Sequence, residues 1–203
     1  MPGMGGGLLL ALTLLGTPAH EPQLALELRV FNGAEDVTAQ TRVAVHRAGD
    51  RAHPLVLLEA GHAVLSADVP PGIYDVQAIR EREGRVVAIR WAERLVVMKY
   101  PDEHGRHLEV INFQPGFGAL EVRGAGGIRP DAEVFQPADH TRPTTAPVTG
   151  PSSLVFVLPA GTYDLLTREA GVAVWNTGIE VPLDRTRFWL LPERQVDVRS
   201  VAR

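Results

Sequence analysis

The phrase VPPGIYDV, beginning at Val69, returns as LPAGTYDL beginning at Leu158. A chain that repeats itself in order must fold one unit twice, and the match runs well beyond the phrase. One constant shift carries Val45 onto Val134, Asp50 onto Asp139, Pro54 onto Pro143 and Gly61 onto Gly150. It also carries Gly72 onto Gly161, Tyr74 onto Tyr163 and Asp75 onto Asp164. LELRV at Leu26 matches LEVRG at Leu120, offset by five more residues, and WAERLVV at Trp91 matches WNTGIEV at Trp175 after a short deletion. A repeat of about 90 residues is too long for a solenoid and has the size of a whole small domain.

Each unit reads as strands. In LALELRV, Leu24, Leu26, Leu28 and Val30 alternate with Ala25, Glu27 and Arg29, the two-residue period of a half-buried strand. TRVAVHR, SSLVFVL, RVVAIRW, RLVVMKY, HLEVINF and RTRFWLL are also short and rich in β-branched or aromatic residues. Helical spacing between caps is missing, and turn signals separate the runs. The expected fold is all-β, two tandem antiparallel sandwiches of transthyretin-like or immunoglobulin-like type. The expected boundaries are an N-terminal signal peptide over 1–19, a first domain over 20–113, a linker over 114–118 and a second domain over 119–203.

In PPGIY, Pro71 presets φ and Gly72 is expected to take the positive φ of a type II turn, as is Gly161 in the second unit. Tyr74 and Tyr163 are then placed to bury their rings and return their hydroxyls to nearby backbone, as a tyrosine corner does. A catalytic pairing of Tyr74 with Asp75 is disfavoured, because adjacent strand residues point to opposite faces. The two phrases resemble the turn and strand of the transthyretin-like superfamily, in particular its carboxypeptidase regulatory-like domains. That resemblance implies sandwiches of roughly seven strands, usually non-catalytic accessories of exported proteins. The chain ends VRSVAR and lacks the Tyr-Arg-Gly-Ser ending of the hydroxyisourate hydrolase branch, so that activity is not carried over.

The start of the chain reads as an address. The apolar run Leu8 to Leu15 is followed by GTPAH, whose Thr17 and Ala19 suit a signal peptidase cutting before His20. Later segments offer no membrane span. The net charge of -4 and dispersed arginines give no footprint for nucleic acid, and the absence of cysteine excludes disulfides, thiolate metal sites and a cysteine nucleophile. The expected location is periplasmic or extracellular.

Candidate metal ligands are histidines. A mature N-terminal His20 would offer its amine and imidazole to copper, with His46, His53 or His62 as a second imidazole. PDEHGRH gathers His104 and His107 with two carboxylates at a turn, a looser arrangement than a helical zinc motif. Trp91 and Trp175 hold matching positions, which points to a shared core role. Trp189 shares a strand face with Arg185 and Arg187, and packs at the seam between domains or docks a partner. The Pro- and Thr-rich stretch 137–151 replaces an apolar strand of the first unit and could leave a sheet edge open to strand addition. The expectation is a non-catalytic binding or structural module, without a cofactor, whose partner is a protein or polysaccharide of the envelope. The alternative is a copper-binding protein or copper oxidase built on His20. Oligomeric state is not written in the pattern.

Overall fold

The computed structural model describes residues 23–98, 106–150, 152–169 and 172–191. Among them the chain is all-β, with two short 3-10 turns and no α-helix. The first domain holds β1 (Leu24–Asn32), β2 (Glu35–Asp36), β3 (Thr41–Arg47), β4 (Val56–Leu58), β5 (Leu65–Val69), β6 (Gly72–Arg82), β7 (Arg85–Val97) and β8 (Arg106–Asn112). The second holds β9 (Phe117–Arg123), β10 (Asp131–Phe135), β11 (Val148–Thr149), β12 (Ser153–Pro159), β13 (Gly161–Glu169), β14 (Val172–Val181) and β15 (Thr186–Leu190).

Each domain is a sandwich of two sheets. In the first, β8 pairs β1 in an inner sheet that continues β2-β1-β5, and the outer sheet runs β4-β3-β6-β7. In the second, the inner sheet runs β11-β12-β9-β15 and the outer sheet β10-β13-β14. The repeat seen in the letters holds in the pairing. Leu28 faces Leu65 as Val122 faces Leu154. Val43 faces Ala78 as Ala132 faces Thr167. The first and last strands of each domain run parallel, Ala25 beside Arg106 and Ala119 beside Thr186. Because side chains alternate, conserving the register conserves the inward set. Leu26, Leu28, Val30, Val45, Tyr74 and Val76 are buried in the first core, and Leu120, Val122, Val134, Phe156, Tyr163 and Leu165 in the second. Each fully buried aliphatic contributes about 1.5–3 kcal/mol relative to exposure.

The repeated phrase is a crossing between sheets. β5 lies in the inner sheet and β6 in the outer one, so Pro70 and Pro71 carry the chain over the sandwich corner; Pro159 and Ala160 do the same between β12 and β13. The Tyr74 hydroxyl donates to the Pro70 carbonyl, and the Tyr163 hydroxyl to the Pro159 carbonyl at 2.8 Å. The expected type II turn is not there. Gly72 and Gly161 open their strands without positive φ. Neither glycine is needed for room: a Cβ at Gly72 would meet the Tyr74 ring and hydroxyl at 3.4 Å, an ordinary contact, and at Gly161 the nearest Tyr163 atom is 3.9 Å away. Gly72→Ala is therefore expected to unfold in urea within about 0.5 kcal/mol of the parent or slightly later, since alanine also narrows the unfolded ensemble. A loss above about 1 kcal/mol would restore the strained-turn reading.

The two inner sheets face each other, so the molecule is a stack of four sheets. Phe31, Leu108 and Val110 of the first domain form one buried cluster with Ala119, Val155 and Val157 of the second. Both faces of β1 and β9 are thus covered, where the sequence pattern implied one. Among them lie buried charges. Arg106 donates to Glu27 at 2.8 Å and to Glu121 at 2.9 Å, and Arg123 donates to the other Glu121 oxygen at 2.8 Å. The expected linker over 114–118 is shorter, because Phe117 and Gly118 belong to β9. In the Pro/Thr-rich stretch, the Thr144 amide donates to Val134 O at 2.7 Å, as Leu55 donates to Val45 O in the first domain. The path is kept, while the pairing that makes β4 in the first domain is not.

Candidate functional site

The outer sheets carry the same side-chain cluster at equivalent positions, and its geometry starts from a bulge. Tyr74 pairs with Leu95 and Val76 with Ala92, so two residues of β7 bulge opposite Asp75, and Arg94 takes φ 54°. In the second domain Tyr163 pairs with Ile179 and Leu165 with Asn176, and Gly178 takes φ 73°. Such a bulge leaves an amide without a ladder partner. The Asp of the repeated phrase accepts it: Asp75 from the Arg94 amide at 2.8 Å, Asp164 from the Gly178 amide at 2.9 Å. These backbone donors are the first reason that both carboxyls lie below the usual aspartate range. Each Asp is therefore an anion held just beneath the outer face.

A cationic or protonatable side chain meets each anion and rests on a tryptophan ring. Arg51 lies over the Trp91 ring at 4.5 Å, with its Nε 3.7 Å from Asp75 and its Nη2 donating to Glu93. Burial of the guanidinium face on indole adds cation–π attraction to these pairings. In the second domain His140 stacks on Trp175 with ring centres 4.3 Å apart and planes 18° from parallel. Its Nε2 lies 2.7 Å from Asp164 Oδ2; the carboxylate accepts, so that nitrogen bears the proton. Beneath, His46 touches Trp91 at 5.4 Å and Phe135 touches Trp175 at 5.2 Å. Arg51 and His140 correspond under the shift of the repeat, as do His46 and Phe135.

Trp91 and Trp175 are consequently not core residues, as their recurrence suggested; Trp91 is half-buried and Trp175 is 42% exposed. Leu57, Val87 and Ile89 share the first outer sheet and are exposed. A cavity of about 240 Å³ opens between β3, β4 and β6, with Arg42, His46, Arg51 and Ile79 on its walls.

The other sequence candidates lie apart. Gly72, Tyr74, Gly161 and Tyr163 form the two corners described above. His20 and His104 fall outside the described residues. His46 is buried in the Trp91 stack, His53 is exposed beside Asp50 at 3.2 Å, and His62 is exposed beside a separate cavity at β5. His107 is buried with its Nε2 3.0 Å from Glu109. Among the described residues no three His, Asp or Glu side chains gather as a metal cage would. Trp189 packs on the second domain's own core, not at the seam. The seam is met by the opposite face of β15, where Thr186 accepts the Val110 amide at 2.8 Å and Arg123 lies over Phe188 at 4.6 Å. Arg185 does reach across, donating to Glu93 O at 2.8 Å, and Arg187 is exposed. Arg51 and His140 were not singled out in the sequence, although their matched positions were the available signal.

No family model matches the chain, and no curated protein matches it. Among solved structures, the Bacillus anthracis TIE protein is similar at 15% identity and TM-score 0.34, over 83% of this chain and 33% of that one. The chain thus spans about a third of that protein's length. The tip fimbrial protein Mfa3 of Porphyromonas gingivalis is similar at 10% identity and TM-score 0.31, over 85% of this chain and 97% of that one. A DUF3823 family protein of Parabacteroides merdae aligns at 12% identity and TM-score 0.29, over 83% and 100%. Likeness at this level assigns no activity.

Proposed function

We propose that this protein is a non-catalytic binding module, exported to the periplasm or cell exterior, whose outer sheets engage a protein or polysaccharide of the envelope. The observation that supports it is the exposed tryptophan with its stacked arginine or histidine, placed at the same point of both outer sheets. A half-exposed indole with a polar edge is the side-chain type that dominates recognition surfaces. Each aspartate gives one oxygen to a bulge amide and the other to the Arg51 or His140 that rests on the indole, an arrangement that supports a positioning role. The sheet-crossing phrase with its tyrosine hydroxyl supports a transthyretin-like reading of both domains. Two linked sites would also raise avidity on a repetitive surface.

Trp91→Ala combined with Trp175→Ala is expected to weaken retention of the purified chain on isolated envelope material by about tenfold or more. Its melting temperature should stay within a few degrees of the parent, since neither indole fills a core. Unchanged retention in the double variant would remove the outer sheets from the binding surface.

A further inference from the structure

The first outer sheet differs from its duplicate in one respect that the fold does not require. His46 is 3% exposed, and neither ring nitrogen has a hydrogen-bond partner. Burying two unpaired polar atoms is unfavourable. The equivalent Phe135 packs on its own tryptophan with no such cost, so an apolar ring suffices for the architecture. His46 also lines the cavity between β3, β4 and β6, together with Arg42, Ala44, Arg51, Leu57 and Ile79.

We propose that this cavity binds one ring of a neutral saccharide, with the His46 imidazole as its hydrogen-bonding floor. The inference rests on the binding-module reading of the outer sheets and names the ligand class for one of them. A neutral imidazole presents one donor and one acceptor, and a sugar hydroxyl is both. The two arginines at the opening are already matched, Arg42 with Glu81 at 3.0 Å and Arg51 with Glu93 and Asp75, and the wall adds the Glu59 carboxylate. That balance favours an uncharged ligand over a phosphate or uronate. Leu57, Ile79 and Ala44 offer the apolar wall that the C–H face of a sugar ring needs. A volume of about 240 Å³ falls below the usual range of roughly 300 Å³ and more for larger ligands, and fits a single ring with its neighbours outside. Arg51, on the same cavity wall as the imidazole, has a side chain that is about half exposed.

The test is a titration of the full chain, labelled with ¹⁵N in its histidines, with cellohexaose, maltohexaose and xylohexaose. Polygalacturonate and a valine-rich heptapeptide serve as comparators. One of the neutral oligosaccharides should shift the His46 ring nitrogens. His46→Phe, which copies the duplicate, should melt at or above the parent yet bind that oligosaccharide at least about tenfold more weakly. His46→Gln, which keeps a donor and an acceptor, should retain part of the affinity. Parental affinity in His46→Phe would overturn the proposal. So would silence with every neutral oligosaccharide, or a response confined to polygalacturonate or the peptide. If silence is accompanied by loss of envelope retention in the tryptophan double variant, only the ligand class fails. If that variant also binds normally, the binding-module reading fails with it.

Discussion

Gly118→Ala is expected to destabilise the second domain by more than about 3 kcal/mol, read as an earlier urea midpoint with an unchanged slope. A Cβ at this position would lie 1.9 Å from the Pro182 carbonyl oxygen and 3.1 Å from Val181 Cγ1. Relief would need one of two backbones to move, and both are clamped. The Asp184 amide donates to Phe117 O at 2.9 Å and the Ala119 amide to Arg185 O at 3.0 Å. Val181, next to the clash, is buried and paired with Gly161. A shift that clears the methyl group therefore breaks hydrogen bonds on either side or withdraws a core residue. Gly72→Ala, with only a 3.4 Å contact to a side chain, is the matched comparison. If the two alanine variants unfolded alike, the close approach of β9 to the β14–β15 connection would be wrong.

That glycine also shows where the letters stop informing. In QPGFG it reads as turn punctuation, and the repeat offers no help, because the position equivalent to Gly118 is the buried Leu24. Strand pairing was far more legible. Alternation in LALELRV named the inward side chains of β1, and the LEVRG match, five residues beyond the shift of the repeat, carried the same register into β9. Alternation separates one face from the other without saying what covers the second. Glu27 and Arg29 read as solvent-facing, whereas Arg29 is buried and Glu27 is half-buried against Arg106. The turn type failed for a related reason. Pro-Gly between two strands suggests a reversal within one sheet, while here consecutive strands lie in different sheets and the backbone stays extended.

At the candidate site the repeat was informative but misread. Trp91 and Trp175 recur because their surroundings recur, and those surroundings are an outer face with a bulge, an aspartate and a stacked cationic or protonatable group. Arg51 and His140 differ in letter, so a search for identities passes over them. Their shared role appears only when both are seen above an Asp that caps a bulge. His46 was weighed as a metal ligand on residue type alone. Its contrast with Phe135 becomes meaningful once each is known to lie against the equivalent indole of its own domain.

Arg106→Met is the other change expected to cost several kcal/mol, about 3–5 at pH 8, because it removes the guanidinium that bridges Glu27 and the buried Glu121 and leaves Glu121 with Arg123 as its arginine partner. The Arg106 side chain is 13% exposed and bridges Glu27 and Glu121, whose own side chain is 2% exposed. Burial pushes the Glu121 carboxyl up to about 7 from an ordinary value of 4.5, with Arg106 the main pull in the other direction. A folded-state value above the unfolded one means that the native seam holds a proton the unfolded chain has released. Below about 4.5 both states are protonated and the penalty vanishes; it grows as pH rises toward 7 and is complete above. Without Arg106 the upper limit moves higher still. Urea midpoints should therefore show a larger deficit for Arg106→Met at pH 8 than at pH 5. Adding Glu121→Gln should recover most of the loss at pH 8 and flatten the pH dependence, since the amide has no charge to desolvate. A deficit equal at both pH values and unmoved by Glu121→Gln would instead mean that Arg106 acts through its stem. The apolar contacts of Phe31, Leu108 and Val110 would then hold the inner sheets together without help from the charges.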